Sequence, residues 1–216
     1  MRIAIFGTTG AGKTTLIENL KTLLPESYNC VWETSLDCPY FDQAYNDENP
    51  DVQTLNYKLD LWMLTDRMKT FKKYASNNDV IYDRSLLDSM VFAQTDHSYG
   101  RLSDADYLTF KEYFMACILP NAFGEDLHHP KFDVAIYLRV SPDKAIERIG
   151  KRGRGMELDT NDMFWYDLAK AYDMWYEIYK EIVPFWVVDG NNDDPMSYAS
   201  SLANKIMEFD NKKRTK

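Results

Sequence analysis

The sequence is poor in the two side chains that most often build disulfide frameworks and zinc sites. Its 216 residues include three cysteines and three histidines. These residues are Cys30, Cys38, Cys117, His97, His128 and His129. Because the cysteines are odd in number and form no Cys-x-x-Cys pair, we expect reduced packing residues rather than disulfides or a zinc ribbon. The histidines are expected at the surface, with a metal site built on them as the weaker alternative.

Long apolar runs and excess positive charge are also missing. No uninterrupted apolar stretch approaches the roughly 18 residues of a membrane-spanning helix, so neither a signal peptide nor a membrane partner is expected. The formal net charge of -9 argues against a nucleic-acid polymer as a partner, because proteins that bind polyanions carry a basic surface. We therefore expect a cytoplasmic protein whose ligands are small molecules.

The chain length fits one domain, since 216 residues can bury one large core but hardly two. There are no repeats and no low-complexity linkers. We predict a single domain over residues 1–209, followed by a basic tail at residues 210–216 that is solvated and frayed.

Short apolar runs alternate with helical patterns along the chain. The predicted strands lie at 3–6, 30–32, 80–82, 134–138 and 185–188. After a first helix that follows residue 14, longer helical patterns lie at about 52–76, 85–95, 103–122, 141–150, 160–182 and 195–208. This alternation predicts a three-layer α/β fold, with a five-stranded parallel sheet flanked by helices.

Residues 7–14 match the pattern Gly-x-x-x-x-Gly-Lys-[Ser/Thr] of a phosphate-binding loop, between the first strand and the first helix. Backbone N–H groups of such a loop bind phosphate oxygens, Lys13 supplies a positive charge, and the Thr14 hydroxyl can ligate Mg²⁺. The ATP-binding residues predicted here are Gly7, Thr8, Thr9, Gly10, Ala11, Gly12, Lys13, Thr14 and Thr15. The motif therefore predicts a nucleoside triphosphate as ligand.

Acidic residues follow two of the predicted strands, Glu33 after 30–32 and Asp83 after 80–82. Ligands of open parallel sheets bind beyond the carboxyl ends of the strands, so both acids should lie near the loop. One acid can hold Mg²⁺ and the other can accept the proton of an attacking hydroxyl, while Arg84 neutralises the moving phosphoryl group. A helix N-cap or a surface ion pair is the alternative for each acid taken alone.

A basic cluster punctuated by glycine, residues 148–155, stands out in this acidic chain. Glycines give mobility, and phosphoryl transfer benefits from a basic lid that closes over the phosphates, so we predict a lid at about 150–157. Cations that complement a helix C-terminus are the alternative.

Asp60 and Arg67 lie seven residues apart on one face of the predicted helix at 52–76, about 10 Å along its axis. A planar base could bridge this acceptor and this donor. Two unrelated surface charges are an equal alternative on spacing alone.

These segments together resemble the deoxyribonucleoside kinase family over nearly the whole chain. The phosphate-binding loop, Glu33, the Asp-Arg-Ser sequence at 83–85 and the arginines of the lid occur in the family's order. Residues 40–45, 82–87 and 136–141 are especially similar to the bacterial deoxyadenosine/deoxyguanosine kinase branch. The resemblance implies a P-loop kinase fold, Mg²⁺ as a cofactor, ATP as phosphate donor, a deoxynucleoside as acceptor and a homodimer.

The resemblance also implies roles for individual residues. Glu33 would take the proton from the 5′-hydroxyl of the deoxyribose, and Arg84 would bind near that hydroxyl and the moving phosphate. Asp83, with Thr14, would hold Mg²⁺. The remaining expected contacts are Tyr45 and Glu157 with the sugar 3′-hydroxyl, Arg148, Arg152 and Arg154 with the donor phosphates, Asp189 near the donor base, and Phe92 in the acceptor site.

The chain departs from the family at two positions, of which the second reads the base. Thr34 replaces a proline after the proton acceptor, and Asp60 replaces a glutamine opposite Arg67. An ionised Asp60 would only accept hydrogen bonds, which suits the two donors of guanine or the amino group of adenine or cytosine, and Arg67 could donate to a purine. We predict a purine preference, adenine or guanine. Either Asp88 or Ser89 completes the base-reading set, and we favour Asp88.

Two other functions compete with this interpretation. A thymidylate-type nucleoside monophosphate kinase shares a loosely similar segment after residue 83, but Glu33 would repel the phosphate of its acceptor. A small GTPase would need an Asn-Lys-x-Asp motif. The Asn204-Lys205 pair is followed by Ile206 and Met207, which argues against a GTPase.

Overall fold

Five parallel strands form one sheet at the centre of the protein. The computed structural model describes residues 1–34, 37–74, 76–120 and 132–214. The strands are β1 (Arg2–Phe6), β2 (Asn29–Val31), β3 (Val80–Asp83), β4 (Val134–Arg139) and β5 (Phe185–Asp189). They lie in the order β2-β3-β1-β4-β5. The predicted strands are confirmed, each to within about one residue at its ends.

Nine α-helices have both of their ends in the described part of the chain. They are α1 (Lys13–Leu23), α2 (Phe41–Ala44), α3 (Val52–Lys73), α4 (Leu86–Ser98), α5 (Asp104–Tyr113), α6 (Pro142–Arg152), α7 (Gly155–Asp159), α8 (Asp162–Tyr179) and α9 (Pro195–Arg214). The predicted helix at 103–122 instead changes after α5 into a π-helical turn, Phe114–Ile118. Helices α2 and α7 were not predicted, because helices of one turn are too short to show a periodic pattern.

Alternate side chains of β1 pack into two separate layers. Ala4 and Phe6 belong to a core formed with α3, α4, α5 and α8, whereas Ile3 and Ile5 belong to a core formed with α1 and α9. All four side chains are fully buried. Helices therefore cover both faces of the sheet, which confirms the predicted three-layer α/β fold.

The strand order brings the predicted site residues to one edge of the sheet. β1 lies between β3 and β4, with Ile5 paired to Asp83 and Phe6 paired to Tyr137. The loop after β1 consequently starts beside Asp83. β2 is the next strand beyond β3. The segment after Val31 therefore leaves the sheet on the same side of the phosphate-binding loop as Asp83 does.

The carboxy-terminal end differs from the predicted frayed tail. Helix α9 continues through Arg214. Lys213 forms an ion pair with Asp133, and Asp210 lies 3.5 Å from the amino group of Met1. These contacts hold residues 210–213 against the body of the protein, so the tail is helical over the residues that are described.

The rare residue types have ordinary surroundings. Cys38 is buried, Cys30 is partly buried and Cys117 is exposed, so the first two fit the prediction of packing residues and the third does not. His97 stacks on Tyr107 and contacts Asp104, while 128–129, the other two histidines, lie outside the described residues. None of the helices in the described ranges combines the length and apolar character needed to cross a bilayer.

Candidate active site

The phosphate-binding loop joins β1 to α1 and is closed by its own lysine. Lys13 Nζ donates to the carbonyl oxygens of Gly7 and Thr8 at 2.9 and 2.8 Å. Burial, helped by the nearby Arg84, lowers the pKa of Lys13 to about 7. Gly10 has φ 78°, and a Cβ there would lie 2.4 Å from the carbonyl oxygen of Ala145, so only glycine fits. The loop thus brings together the Lys13 ammonium group and the N-terminus of α1, the two features that bind phosphate groups.

Thr14 and Asp83 lie together at the edge of this loop. The Thr14 hydroxyl donates to Asp83 Oδ2 at 3.4 Å. Burial raises the pKa of the Asp83 carboxyl. Both side chains line the central cavity, so the two residues predicted to hold Mg²⁺ are brought together.

Glu33 is bound by two arginines. Its Oε1 accepts from Arg67 Nη2 at 2.6 Å, and its Oε2 accepts from Arg84 Nε at 2.9 Å. Burial opposes ionisation of Glu33, but the charges of Arg84 and Arg67 outweigh it and lower its pKa below the usual value. The structure therefore holds an ionised carboxylate at the predicted proton-acceptor position.

Arg84 is fixed by the start of α4. It adopts φ 70°, an unusual backbone conformation for a residue with a Cβ. Its Nη1 donates to the hydroxyl of Tyr172 at 2.8 Å and to Asp88 Oδ1 at 3.3 Å. Asp88 also accepts from the backbone N–H of Ser85, which completes a capping box on α4. The side chain of Asp88 is fully buried and does not line the cavity, so it positions Arg84 instead of facing a base.

One cavity of about 880 Å³ connects the loop, the strand ends and the lid. Its lining includes Tyr45, Asp60, Phe92 and Asp96. Glu33, Arg67, Arg84 and Glu157 line the same cavity. The cavity is large enough for a nucleoside and a triphosphate side by side.

Asp60 and Arg67 are not the unrelated surface charges of the alternative interpretation. Asp60 is 6% exposed, and the Arg67 side chain is 11% exposed. Arg67 Nη1 donates to Ser89 Oγ at 2.8 Å, so the arginine links Glu33 with α4. Of the two candidates for the second base-reading residue, Ser89 is the one that contacts Arg67.

Asp60 differs electrostatically from its sequence prediction. Burial and repulsion by Asp96 raise its pKa well above the usual range, and the attraction of Arg67 only partly offsets them. Asp96 behaves in the same way, because burial raises its pKa against the opposing charge of Arg101. These surroundings favour the neutral acid over the ionised Asp60 that the sequence interpretation assumed.

The sequence prediction missed Asp96 and Arg101. Arg101 lies 3.6 Å from Asp96 and is 2.7 Å from Asp47. Its guanidinium also covers the ring of Phe164 at 4.5 Å. Asp96 follows Phe92 by one helical turn, so the four-residue spacing on α4 was the signal that could have found it.

The predicted lid consists of the end of α6, a turn and the short helix α7. Gly153, with φ 67°, ends α6, and Arg152 forms an ion pair with Glu157 across the turn. Arg154 lies 3.7 Å from the same carboxylate. Arg148 donates to the carbonyl oxygen of Ala11 in the phosphate-binding loop at 3.1 Å. The lid arginines and Glu157 therefore occupy one wall of the cavity.

Asp189 is not brought into the cavity lining. Its carboxylate accepts hydrogen bonds from Asn191 just after β5. Asp193, four residues further on, lines the cavity and pairs with Lys144 at 2.8 Å. The loop after β5 thus borders the donor side through Asp193 rather than through Asp189.

Comparisons with known proteins agree with this geometry. Residues 3–212 match the family model described as Deoxynucleoside kinase. The deoxyadenosine/deoxycytidine kinase of Bacillus subtilis (strain 168) is 31% identical over 179 residues, which cover 80% of this chain and 75% of that protein. A deoxyguanosine kinase of Lactobacillus acidophilus is 28% identical over 208 residues, 90% of this chain and 83% of that protein.

Solved structures give the same result. Deoxyadenosine kinase from M. mycoides with bound dCTP matches with a TM-score of 0.80 and 34% identity, over 96% of this chain and 100% of that chain. The same enzyme with bound dATP matches with a TM-score of 0.82. The chain belongs to the deoxynucleoside kinase family, whose members are ATP-dependent phosphotransferases.

Proposed function

We propose that this chain transfers the γ-phosphate of ATP to the 5′-hydroxyl of a purine deoxyribonucleoside, with Glu33 accepting the proton of that hydroxyl. The observation that carries the proposal is the ionised Glu33 carboxylate, held by Arg67 and Arg84 in the cavity that the phosphate-binding loop also lines. Such transfers need an oriented hydroxyl, a proton acceptor and positive charge around the moving phosphoryl group. Arg84 supplies that charge beside Glu33.

The acceptor end of the cavity favours an uncharged nucleoside over a nucleoside monophosphate. The carboxyl groups of Glu33, Asp60, Asp96 and Glu157 line the cavity. Arg67 and Arg84 are already engaged by Glu33. A phosphate on the acceptor would therefore meet a carboxylate in place of an unpaired cation, which disfavours the thymidylate-type alternative.

The donor triphosphate is assigned to the phosphate-binding loop. Residues 7–15 present backbone N–H groups, and Lys13 can exchange its two carbonyl contacts for phosphate oxygens. Arg148, Arg152 and Arg154 reach the same cavity from the lid and can cover the outer phosphates. Asp189 itself does not line the cavity. We therefore assign the place near the donor base to the loop that follows it, through Asp193.

Thr14 and Asp83 fit a Mg²⁺ ion. Both offer oxygen ligands, and their oxygens lie 3.4 Å apart at the edge of the loop. When bound there, Mg²⁺ would neutralise charge on the donor phosphates. A cation would also favour the ionised form of Asp83, whose pKa burial otherwise raises.

The acceptor nucleoside is assigned to the opposite end. Tyr45 and Glu157, which line the cavity, are proposed to bind the sugar 3′-hydroxyl, and the ring of Phe92 is proposed to contact the base. Relatives carry names for deoxyadenosine, deoxycytidine and deoxyguanosine. We retain the purine preference, with Asp60 and Arg67 rather than Asp88 as the groups that face the base.

A homodimer in the cytoplasm completes the proposal. The exposed side of α8 carries Met174 and Ile178, one helical turn apart, and Ile182 continues the row. An apolar row of this kind suits an interface between copies of the chain. The partly buried Cys30 and the buried Cys38 suit a reducing compartment.

The acceptor class is tested by a panel of turnover assays. Purified protein would be incubated with ATP, Mg²⁺ and each of the four deoxynucleosides or their 5′-monophosphates, with Lys13→Met as the control for contaminating kinases. We expect phosphorylation of the nucleosides, fastest for deoxyadenosine or deoxyguanosine. Turnover of monophosphates alone would overturn the proposal.

A further inference from the structure

Two buried carboxyl groups from different helices line the cavity. Asp60 on α3 is 6% exposed and Asp96 on α4 is 5% exposed, and both line the cavity. Hydrogen bonds from Arg67 to Ser89 and from Gln53 to the carbonyl oxygen of Gly100 hold α3 and α4 antiparallel, and Asp60 and Asp96 lie between these two contacts, each seven residues from the Arg67–Ser89 pair. In agreement with this register, the charge of Asp96 helps to raise the pKa of Asp60. A pair of this kind retains a proton more readily than an isolated acid does.

Asp60 and Arg67 each have a polar atom that is left without a hydrogen bond. Within the described part of the chain, Asp60 Oδ2 and Arg67 Nε are buried and meet no hydrogen-bond partner. Unsatisfied buried polar atoms cost free energy, so natural proteins rarely keep them without a reason. An acceptor and a donor that are both unsatisfied beside a cavity of nucleoside size indicate a ligand that supplies the missing partners.

Charged and titratable groups from several elements surround Asp60 and Asp96. Arg67 on α3 is the cation whose charge partly offsets the raised pKa of Asp60, and its Nη1 and Nη2 atoms bind Ser89 and Glu33. Asp96 faces Arg101, which Asp47 also binds. The hydroxyl of Tyr45 lies within the field of both acids as well as of Arg101 and Arg84. The cations on each side are thus shared with other acids, which leaves the pair under-neutralised.

A carboxyl group changes its hydrogen-bonding pattern when it loses its proton. The neutral acid donates through O–H and accepts through C=O, which matches the adjacent acceptor and donor on the pairing edge of adenine or cytosine. The carboxylate only accepts, which matches the two N–H donors on the pairing edge of guanine. The same side chain can therefore select different bases.

We propose that Asp60 and Asp96 read the base through their shared proton: the neutral pair selects an adenine-type edge, and the singly ionised pair selects a guanine edge. The inference rests on the proposed function, since it names the substrate class of the same acceptor site. Binding of deoxyguanosine then expels a proton from the pair, whereas binding of deoxyadenosine retains it. The preference for deoxyadenosine over deoxyguanosine falls as the pH rises.

Proton exchange on binding tests this directly, without ATP or turnover. Calorimetric titration of each nucleoside in two buffers of different ionisation enthalpy gives the number of protons released. At neutral pH we expect deoxyguanosine to release close to one proton more than deoxyadenosine. Equal proton release for the two nucleosides would overturn the inference, even if both are phosphorylated. Absence of phosphorylation of any nucleoside would instead overturn the proposed function.

Variants separate the pair from other titrating groups. In Asp60→Asn the difference in proton release should vanish, because an amide keeps a donor and an acceptor at all pH values. Asp96→Asn should move the loss of the adenine preference to lower pH, since the repulsion on Asp60 is removed. Asp51→Asn, an exposed carboxyl at the start of the same helix, is the matched control and should behave as the unmodified protein does.

The proposal also predicts that base preference in steady-state kinetics depends on pH. The ratio of kcat/KM for deoxyadenosine to that for deoxyguanosine should fall by about tenfold between pH 6 and 9, the size of discrimination that one bidentate contact gives. In Asp60→Asn the ratio should stay flat. A ratio that falls equally in Asp60→Asn would assign the pH dependence to another group and contradict the inference.

Discussion

Arg67 shows what a residue's position in the sequence can and cannot predict. Its spacing from Asp60 correctly placed both residues on one side of the same helix. The sequence could not show that Glu33, 34 residues away, binds Arg67 Nη2, or that Ser89 binds Nη1. Such partners come from other elements, so they depend on the tertiary fold. The protonation of Asp60 depends on it too, because Asp96 approaches from a different helix.

The buried acids Asp60 and Asp96 should make stability depend on pH. The folded state raises the pKa of Asp60, so its protonation stabilises the fold at low pH and this contribution is lost as pH rises through the folded-state value. Asp60→Asn removes that loss. We expect its free energy of unfolding at pH 8, measured with urea, to exceed that of the unmodified protein by on the order of 1–2 kcal/mol.

At pH 3 the two proteins should differ much less, because this lies below the ordinary aspartate pKa of about 3.9 and Asp60 is then neutral in both the folded and the unfolded chain. Asp51→Asn, at an exposed position of the same helix, should show no such pH-dependent gain. A gain of equal size at both pH values would mean that packing, rather than ionisation, is responsible.

At the scale of single elements, the start of α4 connects a helix cap to the site. Ser85 caps the helix with its hydroxyl, and Asp88 closes the capping box while it also binds Arg84. The sequence predicted a helix here but assigned Asp88 to the base. The cap explains the difference, because the residue three positions after an N-cap is the one that folds back onto the backbone.

Ser85→Ala should therefore affect both stability and catalysis. Loss of the cap should cost roughly 0.5–2 kcal/mol of unfolding free energy, and the freed Arg84 should lower kcat. Ser103→Ala removes the equivalent cap of α5, where no predicted site residue lies. It should cost similar stability and leave kcat unchanged; an equal loss of kcat in both variants would show that the cap has no specific link to the site.

The lid turn gives a second comparison between matched variants. Gly153 and Gly100 both have positive φ, 67° and 73°, and a Cβ at either would meet no atom within 4 Å. Alanine at either position should lower the free energy of unfolding by about 1 kcal/mol, through backbone strain alone. We expect Gly153→Ala to raise the KM for ATP as well, because it displaces Arg152 and Arg154, whereas Gly100→Ala should leave that KM unchanged. If neither variant changes KM, the segment does not act as a lid.

At the scale of the whole molecule, the alternation of short apolar runs and helices was enough to predict the layers and the strands. The strand order was not predictable, since lateral pairing leaves little trace in a single sequence. Yet that order decides which strand ends meet, and it places β3 beside β1 and β2 beyond β3. The short helix α7 was equally invisible, although it carries Glu157 to the cavity wall.

The proposed dimer is testable through the exposed row on α8. Met174 is 41% exposed, and Met196, on α9, is 45% exposed. Met174→Glu should shift the protein from dimer to monomer in sedimentation velocity, because a charge would be buried in the interface. Met196→Glu is the matched control and should leave the dimer intact. A monomer before any substitution, or no shift with Met174→Glu, would contradict the assignment of this surface.

The role of Glu33 is the centre of the account, and a single-turnover experiment tests it most directly. Enzyme in excess over deoxynucleoside would be mixed rapidly with ATP and Mg²⁺, and the formation of the 5′-monophosphate followed for the unmodified protein, Glu33→Gln and Glu177→Gln, an exposed control. Loss of the proton acceptor should slow the transfer step of Glu33→Gln by about 10²- to 10⁴-fold, with ATP still bound and the control unchanged. A rate for Glu33→Gln close to that of the unmodified protein would contradict the assignment of Glu33 as the proton acceptor.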